Sequence, residues 1–144
     1  MIQEGDIVFI GVDNHASRKL ISEYVQKSVS DVTVISGGNE YTDGNVQIYI
    51  RKEGRDLTPS LTAYHPEIEE PDDKSPEDMS CQELEKAEPQ LLFTNLTVAT
   101  IMCWVFYRLV KTEDILGLET KVSEIYFDIV SMSVLSKMRE VPNN

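Results

Sequence analysis

The sequence predicts an α/β domain on a mixed sheet, in which a parallel βαβ unit is followed by additional strands and a long apolar helix. Three observations carry that expectation. A short apolar run, an amphipathic stretch and a β-branched run follow one another within the first 35 residues. An alternating segment comes next, at Val46 to Ile50. An uncharged run of seventeen residues then extends from Leu91 to Tyr107.

Ile7-Val8-Phe9-Ile10, closed by Gly11, reads as a buried parallel strand, because such strands are covered on both faces and need no polar alternation. Leu20, Ile21, Tyr24 and Val25 then fall at helical spacing and form one apolar stripe, with Asp13 or Asn14 as the N-cap. Val32-Thr33-Val34-Ile35 is a second strand, which completes a βαβ unit with a right-handed crossover. Beyond Ser36-Gly37-Gly38, the pair Asp43-Gly44 predicts a tight turn of positive φ between strand-like runs, hence a hairpin or strand extension. Val46, Ile48 and Ile50 alternate with Gln47 and Tyr49, as in a half-buried strand.

From about residue 66 to 89 the chain has no apolar period. Residues 67–88 hold ten acids against Lys74 and Lys86, so a solvated, extended segment is expected, with at most a helical turn near Cys81. Leu91 to Tyr107 is barely long enough to span a bilayer, and Thr94, Asn95, Thr97 and Thr100 interrupt it. A helix held between the sheet and a partner explains it better, with Cys103 beside Trp104 in the packing. Glu124 to Leu135 alternates and predicts one closing strand at or near a sheet edge.

The 144 residues fit one domain, residues 1–144, and can bury a core without staples. Thirteen basic side chains against 25 acidic ones leave a net charge of −12, which argues against nucleic acid or an anionic membrane as the main partner. Cys81 and Cys103 cannot build a disulfide framework or a four-cysteine zinc site. Met1-Ile2-Gln3-Glu4-Gly5-Asp6 is acidic where a secretory signal is basic, so a reduced, cytoplasmic setting is the expectation.

Chemistry concentrates at Asp13-Asn14-His15-Ala16-Ser17-Arg18, just past the carboxyl end of the first strand, where ligands collect in open α/β sheets. A carboxylate there can hold Mg²⁺ bridging nucleotide phosphates. The bland reading of Asp13 is a helix cap, and the two roles are compatible. Arg18 on a helix surface is expected to be solvated or paired with Glu23 or Asp31. Cys81 stands among Glu77, Asp78, Glu83 and Glu85, which disfavour a thiolate. His15 reads as a first-turn helix residue, and His65 as part of a loop.

Val12-Asp13-Asn14 with Arg18 resembles the Asp-Asn-x-x-x-Arg signature of the ThiF/MoeB family, the ubiquitin-activating-enzyme-like adenylyltransferases. The downstream order is similar too. Ile35-Ser36-Gly37-Gly38 resembles the family's strand ending in a small-residue turn, and Asp43-Gly44-Asn45-Val46-Gln47-Ile48-Tyr49 its next strand. The acidic segment with Ser80-Cys81 and the Leu91–Val110 helix correspond to the family's crossing segment and long apolar helix. The match runs from about Asp6 to Asp128.

The resemblance implies a partial Rossmann-like domain, the second half of the family fold. It implies adenylation of the C-terminal carboxylate of a ubiquitin-like or sulfur-carrier protein with ATP and Mg²⁺. Asp13 would face the phosphates and the metal, Asn14 and Arg18 would shape the turn and helix start, and Cys81 would be the candidate nucleophile. The family's glycine-rich phosphate loop has no counterpart here, since no Gly-x-Gly-x-x-Gly occurs. The resemblance therefore implies a truncated form, a nucleotide-binding half supplied by another chain, or lost catalysis, the last leaving a pseudoenzyme or interaction module. A sheet lacking its first βαβ unit exposes apolar edges, so a homodimer or docking onto that half is expected. No zinc site can be assembled from two isolated cysteines.

Overall fold

The structure, a computed structural model, describes residues 1–72, 91–111 and 122–142. In chain order the elements are β1 (Asp6–Ile10), α1 (His15–Ser28), β2 (Val32–Asn39), β3 (Asp43–Lys52), β4 (Arg55–Asp56), α2 (Pro66–Glu69), α3 (Leu92–Lys111), β5 (Glu124–Asp128) and β6 (Ser133–Lys137). The strands make one mixed sheet in the order β1-β2-β3-β5-β6, with β4 paired to β3. β1 and β2 are parallel, with α1 between them in sequence, and the other pairs are antiparallel.

Side-chain alternation sorts the core into two layers. Val32 and Val34 of β2 and Tyr49 of β3 join Ile10, Val25, Val29 and Leu61 on the α1 face. Ile35 of β2 and Val46, Ile48 and Ile50 of β3 join Phe127 and the Val98, Ile101, Met102, Val105 and Leu109 stripe of α3 on the other. A sheet covered on both faces explains why β2 is buried from Val32 to Gly37 without a break. At Gly37 α3 packs directly on the strand backbone, because a Cβ there would run into the Met102 sulfur and stand 2.8 Å from Val98 Cγ2.

Three local expectations are corrected. The β2–β3 hairpin forms, but its loop is Glu40–Thr42, and Gly44 already pairs with Asn39 inside the ladder. Gly44 is needed for space: a Cβ would lie 2.5 Å from the Gly38 carbonyl oxygen and 2.8 Å from the Phe127 ring. The two-residue turn of positive φ is instead Glu53-Gly54 (φ 50° and 73°), which joins β3 to β4 as a type I′ hairpin turn would.

The expected single strand from Glu124 to Leu135 is two strands. The chain reverses after Asp128, whose Oδ1 accepts hydrogen bonds from the Val130 and Ser131 amides at 2.7 and 3.0 Å. Met132 is left-handed at φ 51°. Both arms alternate with period two, so the pattern runs through a turn that the Asp128 carboxylate makes. β6, the edge strand, is exposed along its length.

α3 is, among the described residues, the one helix long and apolar enough to cross a membrane. Its inner stripe packs on the sheet, while Cys103 and Trp104, expected in the packing, are exposed. The acidic stretch opens with α2, whose Ile68 is buried. Its remainder, from residue 73, lies outside the described residues, as does Cys81.

Gly44→Ala is expected to destabilise the fold by about 2–3 kcal/mol, since the obstructing atom is backbone and cannot swing aside. Chemical denaturation of the two proteins measures the difference.

Candidate functional site

A cavity of about 750 Å³ opens where β1 and β2 end. One wall is the β1–α1 turn, with Asp13 and His15. The floor is Gly37-Gly38 with the start of β3, and the far wall is α3 at Asn95, Val98 and Met102. α2 contributes His65, Glu67 and Ile68, and β5 contributes Tyr126.

The helix entry follows from Asn14, whose extended backbone and Oδ1 atom cap α1 by accepting the Ser17 amide at 2.7 Å. Of the two candidate caps, Asn14 takes the role. Asp13 is thereby left exposed on the cavity rim.

Arg18 is not a solvated surface residue. It is 6% exposed. Its Nη1 donates to Ser36 Oγ at 2.9 Å, and its Nη2 donates to the carbonyls of Val12 (2.7 Å) and Gly37 (2.6 Å). The acids expected as its partners are engaged elsewhere, Glu23 with Lys27 at 3.0 Å and Asp31 with the Glu53 amide. The guanidinium packs against Gly38, where a Cβ would lie 3.1 Å from Nη2. The strand ending in small residues is thus the seat of an arginine that locks the β1–α1 turn to β2.

A second polar group borders the cavity and was not foreseen. His65, expected in a loop, is buried between two carboxylates, with Nδ1 2.8 Å from Glu67 Oε1 and Nε2 2.9 Å from Glu124 Oε1. Glu124 Oε2 accepts from the Tyr126 hydroxyl at 2.8 Å and from Arg139 Nε at 3.0 Å. Burial pulls the imidazole pKa down, but the hydrogen bonds to Glu124 and Glu67 outweigh it and hold His65 above its ordinary range. Burial pushes Glu124 up, yet donation from His65, Tyr126 and Arg139 holds it at about 2. With both ring nitrogens facing carboxylates, His65 satisfies both only as the imidazolium. The signal in the sequence was Glu124, one of two acids with Asp128 on the polar face of that alternation, and it does not point to a histidine 59 residues away.

The α3 wall is pinned by Asn39 Nδ2 donating to Asn95 Oδ1 at 2.8 Å and by Thr94 Oγ1 donating to the Tyr41 carbonyl at 2.7 Å. α2 is tied to α1 by Lys19 Nζ donating to the Glu69 carbonyl at 2.6 Å. The lining carries the acids Asp13, Glu40, Asp43 and Glu67, while its arginine is turned inward onto the backbone. Among the described residues no group of three or more His, Cys, Asp or Glu side chains could hold a metal ion. A single carboxylate such as Asp13 suits Mg²⁺ that arrives on nucleotide phosphates, because that ion keeps most of its shell from water and phosphate. Arg18 is committed to Ser36 Oγ and the Val12 and Gly37 carbonyls, and the cationic His65 to Glu67 and Glu124.

No protein-family model and no curated protein matches the chain.

Arg18→Met is expected to cost about 3 kcal/mol or more by leaving buried acceptors unsatisfied, read as a lower denaturation midpoint. His65 stabilises the fold fully below its ordinary pKa of 6.5, and that stability fades as pH rises through its higher folded value. Glu124 stabilises above its ordinary 4.5 and loses that contribution as pH falls toward about 2. Stability from this pair therefore peaks between about pH 4.5 and 6.5. In His65→Gln, measured by urea titration across pH, the alkaline decline should flatten.

Proposed function

We propose that this chain is the second half of a ThiF/MoeB-type, Rossmann-like adenylyltransferase domain. In this reading it works with a nucleotide-binding half to activate the C-terminal carboxylate of a ubiquitin-like or sulfur-carrier protein. The observation that carries the reading is the Asp13 carboxylate, exposed on the rim of a cavity at the carboxyl end of β1 and freed for that position because Asn14 takes the cap. ATP would supply the adenylyl group, with Mg²⁺ neutralising its phosphates. Asp13 would hold the metal, while Asn14 sets the helix entry and Arg18 fixes the turn that presents both. The cavity is roomy enough for an extended peptide end, within the usual range for ligand sites.

A second reading has its own support. The lining, with its arginine turned inward and its His65 charge paired with Glu67 and Glu124, leaves Asp13, Glu40 and Asp43 to suit a cationic or hydrogen-bond-donating partner. On that reading the domain is a pseudoenzyme or interaction module.

ATP–pyrophosphate exchange separates the two. The chain alone should show none. Reconstituted with its nucleotide-binding half and carrier protein, it should exchange in a Mg²⁺-dependent way, and Asp13→Ala should abolish exchange without changing the denaturation midpoint. Full exchange by Asp13→Ala would reduce the residue to a turn former, and no exchange by any reconstituted assembly would favour the interaction module.

A further inference from the structure

His65 faces more carboxylate than its ring can serve once it is neutral. Each ring nitrogen meets an acid from a different element: Glu67 Oε1 of α2 lies 2.8 Å from Nδ1, and Glu124 Oε1 of β5 lies 2.9 Å from Nε2. The imidazolium donates to both. A neutral imidazole keeps one N–H and turns a lone pair toward the other acid, so one of the two bonds has to be given up.

The two acids are not equally able to let go. The Glu124 side chain is 5% exposed and that of Glu67 50%. Glu124 sits between β3 and β6, opposite Gln47 on one side and Lys137 on the other, so two ladders fix its backbone. Its second oxygen is held by the Tyr126 hydroxyl and Arg139 Nε, and the Arg139 guanidinium lies 5.1 Å over the Tyr64 ring. The Tyr64 hydroxyl donates in turn to the Glu140 carbonyl at 2.8 Å. A lone pair turned toward Glu124 Oε1 would strand a buried carboxylate oxygen almost out of reach of water. Glu67 has water at hand and projects from a helix of a single turn.

The charges on the remaining wall agree. Burial pushes the Glu67 carboxyl up, but hydrogen bonds from its own amide and from His65, with the nearby His15 of α1, hold it below its ordinary range. Lys19 of α1 is occupied by the Glu69 carbonyl at 2.6 Å, so it is not positioned to take over Glu67. Glu67 therefore stays anionic when its partner is neutral, and it lines the same cavity as Asp13, Glu40 and Asp43.

We propose that His65 is a proton-operated latch on the cavity wall, which holds Glu67 while the ring is charged and, on losing the Nδ1 proton to solvent, keeps Glu124 and releases the Glu67 carboxylate into the cavity. The lining then becomes one charge more negative and gains a side chain that moves, while the anchor on β5 stays. The latch works the same way whichever occupant the cavity takes.

Nuclear magnetic resonance of the full chain tests this, with through-bond assignment separating His65 from His15, the two histidines of the sequence. The His65 ring nitrogens should titrate with a midpoint above the ordinary 6.5 and show the Nε2–H tautomer beyond it. Three-bond couplings along the Glu67 side chain should report one rotamer below that midpoint and rotamer averaging above it. Those of Glu124 should report one rotamer throughout. Glu67→Gln, at a half-exposed position, should lower the midpoint by about one pH unit and leave the tautomer unchanged. A midpoint below 6.5, or a ring that stays charged until the fold is lost, overturns the proposal. So does an Nδ1–H tautomer at alkaline pH, a Glu67 side chain that does not change across the midpoint, or a Glu124 side chain that does. A midpoint unmoved by Glu67→Gln overturns it equally.

Discussion

The cavity depends on where one guanidinium sits. Arg18 is buried at the junction of a strand end, a turn and a helix start, and it bonds to Ser36, Val12 and Gly37 simultaneously. Parallel strands leave their carboxyl ends splayed, with carbonyls pointing into the crevice and no ladder partner. A planar donor with five hydrogens satisfies several of these at once, which a lysine could not do in the same plane. Gly37 and Gly38 follow from that arrangement, since one faces Met102 and the other the guanidinium. The rim geometry of Asp13 and Asn14 is therefore a consequence of packing beneath it.

Much of this was written in the sequence, but not evenly. The βαβ unit was legible from its short apolar and β-branched runs, but two burial readings are corrected: β1, expected to be buried, is an edge strand with Phe9 exposed, and β3, expected to be half-buried, is buried on both faces from Val46 to Ile50. Ile35 and Val46 fall on one side and Val34 and Tyr49 on the other, as the alternation requires. Asp13 and Asn14 were legible as a pair, though only coordinates divide the cap from the rim.

What failed was whatever depended on contacts distant in sequence. Arg18 looks like any helix-surface cation until Gly37 is brought over it. His65 does lie in the loop before α2, as read, but its burial against Glu124 of β5 was not legible. Gly44 carries the local signature of a turn, yet the crowding of Phe127 and Gly38 decides its role. Cys103 was placed inward because an uncharged helix says nothing about which of its faces meets the sheet.

The two polar groups at the cavity differ in kind. The Arg18 cluster uses a permanent charge against neutral carbonyls, and no ordinary pH alters it. The His65–Glu124 cluster uses a charge that can be withdrawn, and it joins β5 to the short helix on the cavity wall. One wall is held by a fixed bond and another by a protonatable one, while the acidic lining stands between them.

The sheet order has a last consequence. β3 is paired on one side by its immediate neighbour β2 and on the other by β5, from which most of the chain's second half separates it. Bringing two such strands together costs an entropy that grows only logarithmically with their separation in sequence, about 0.6 kcal/mol for each doubling. The β3–β5 ladder therefore joins partners far apart in sequence, and it is expected to form after the local β2–β3 hairpin.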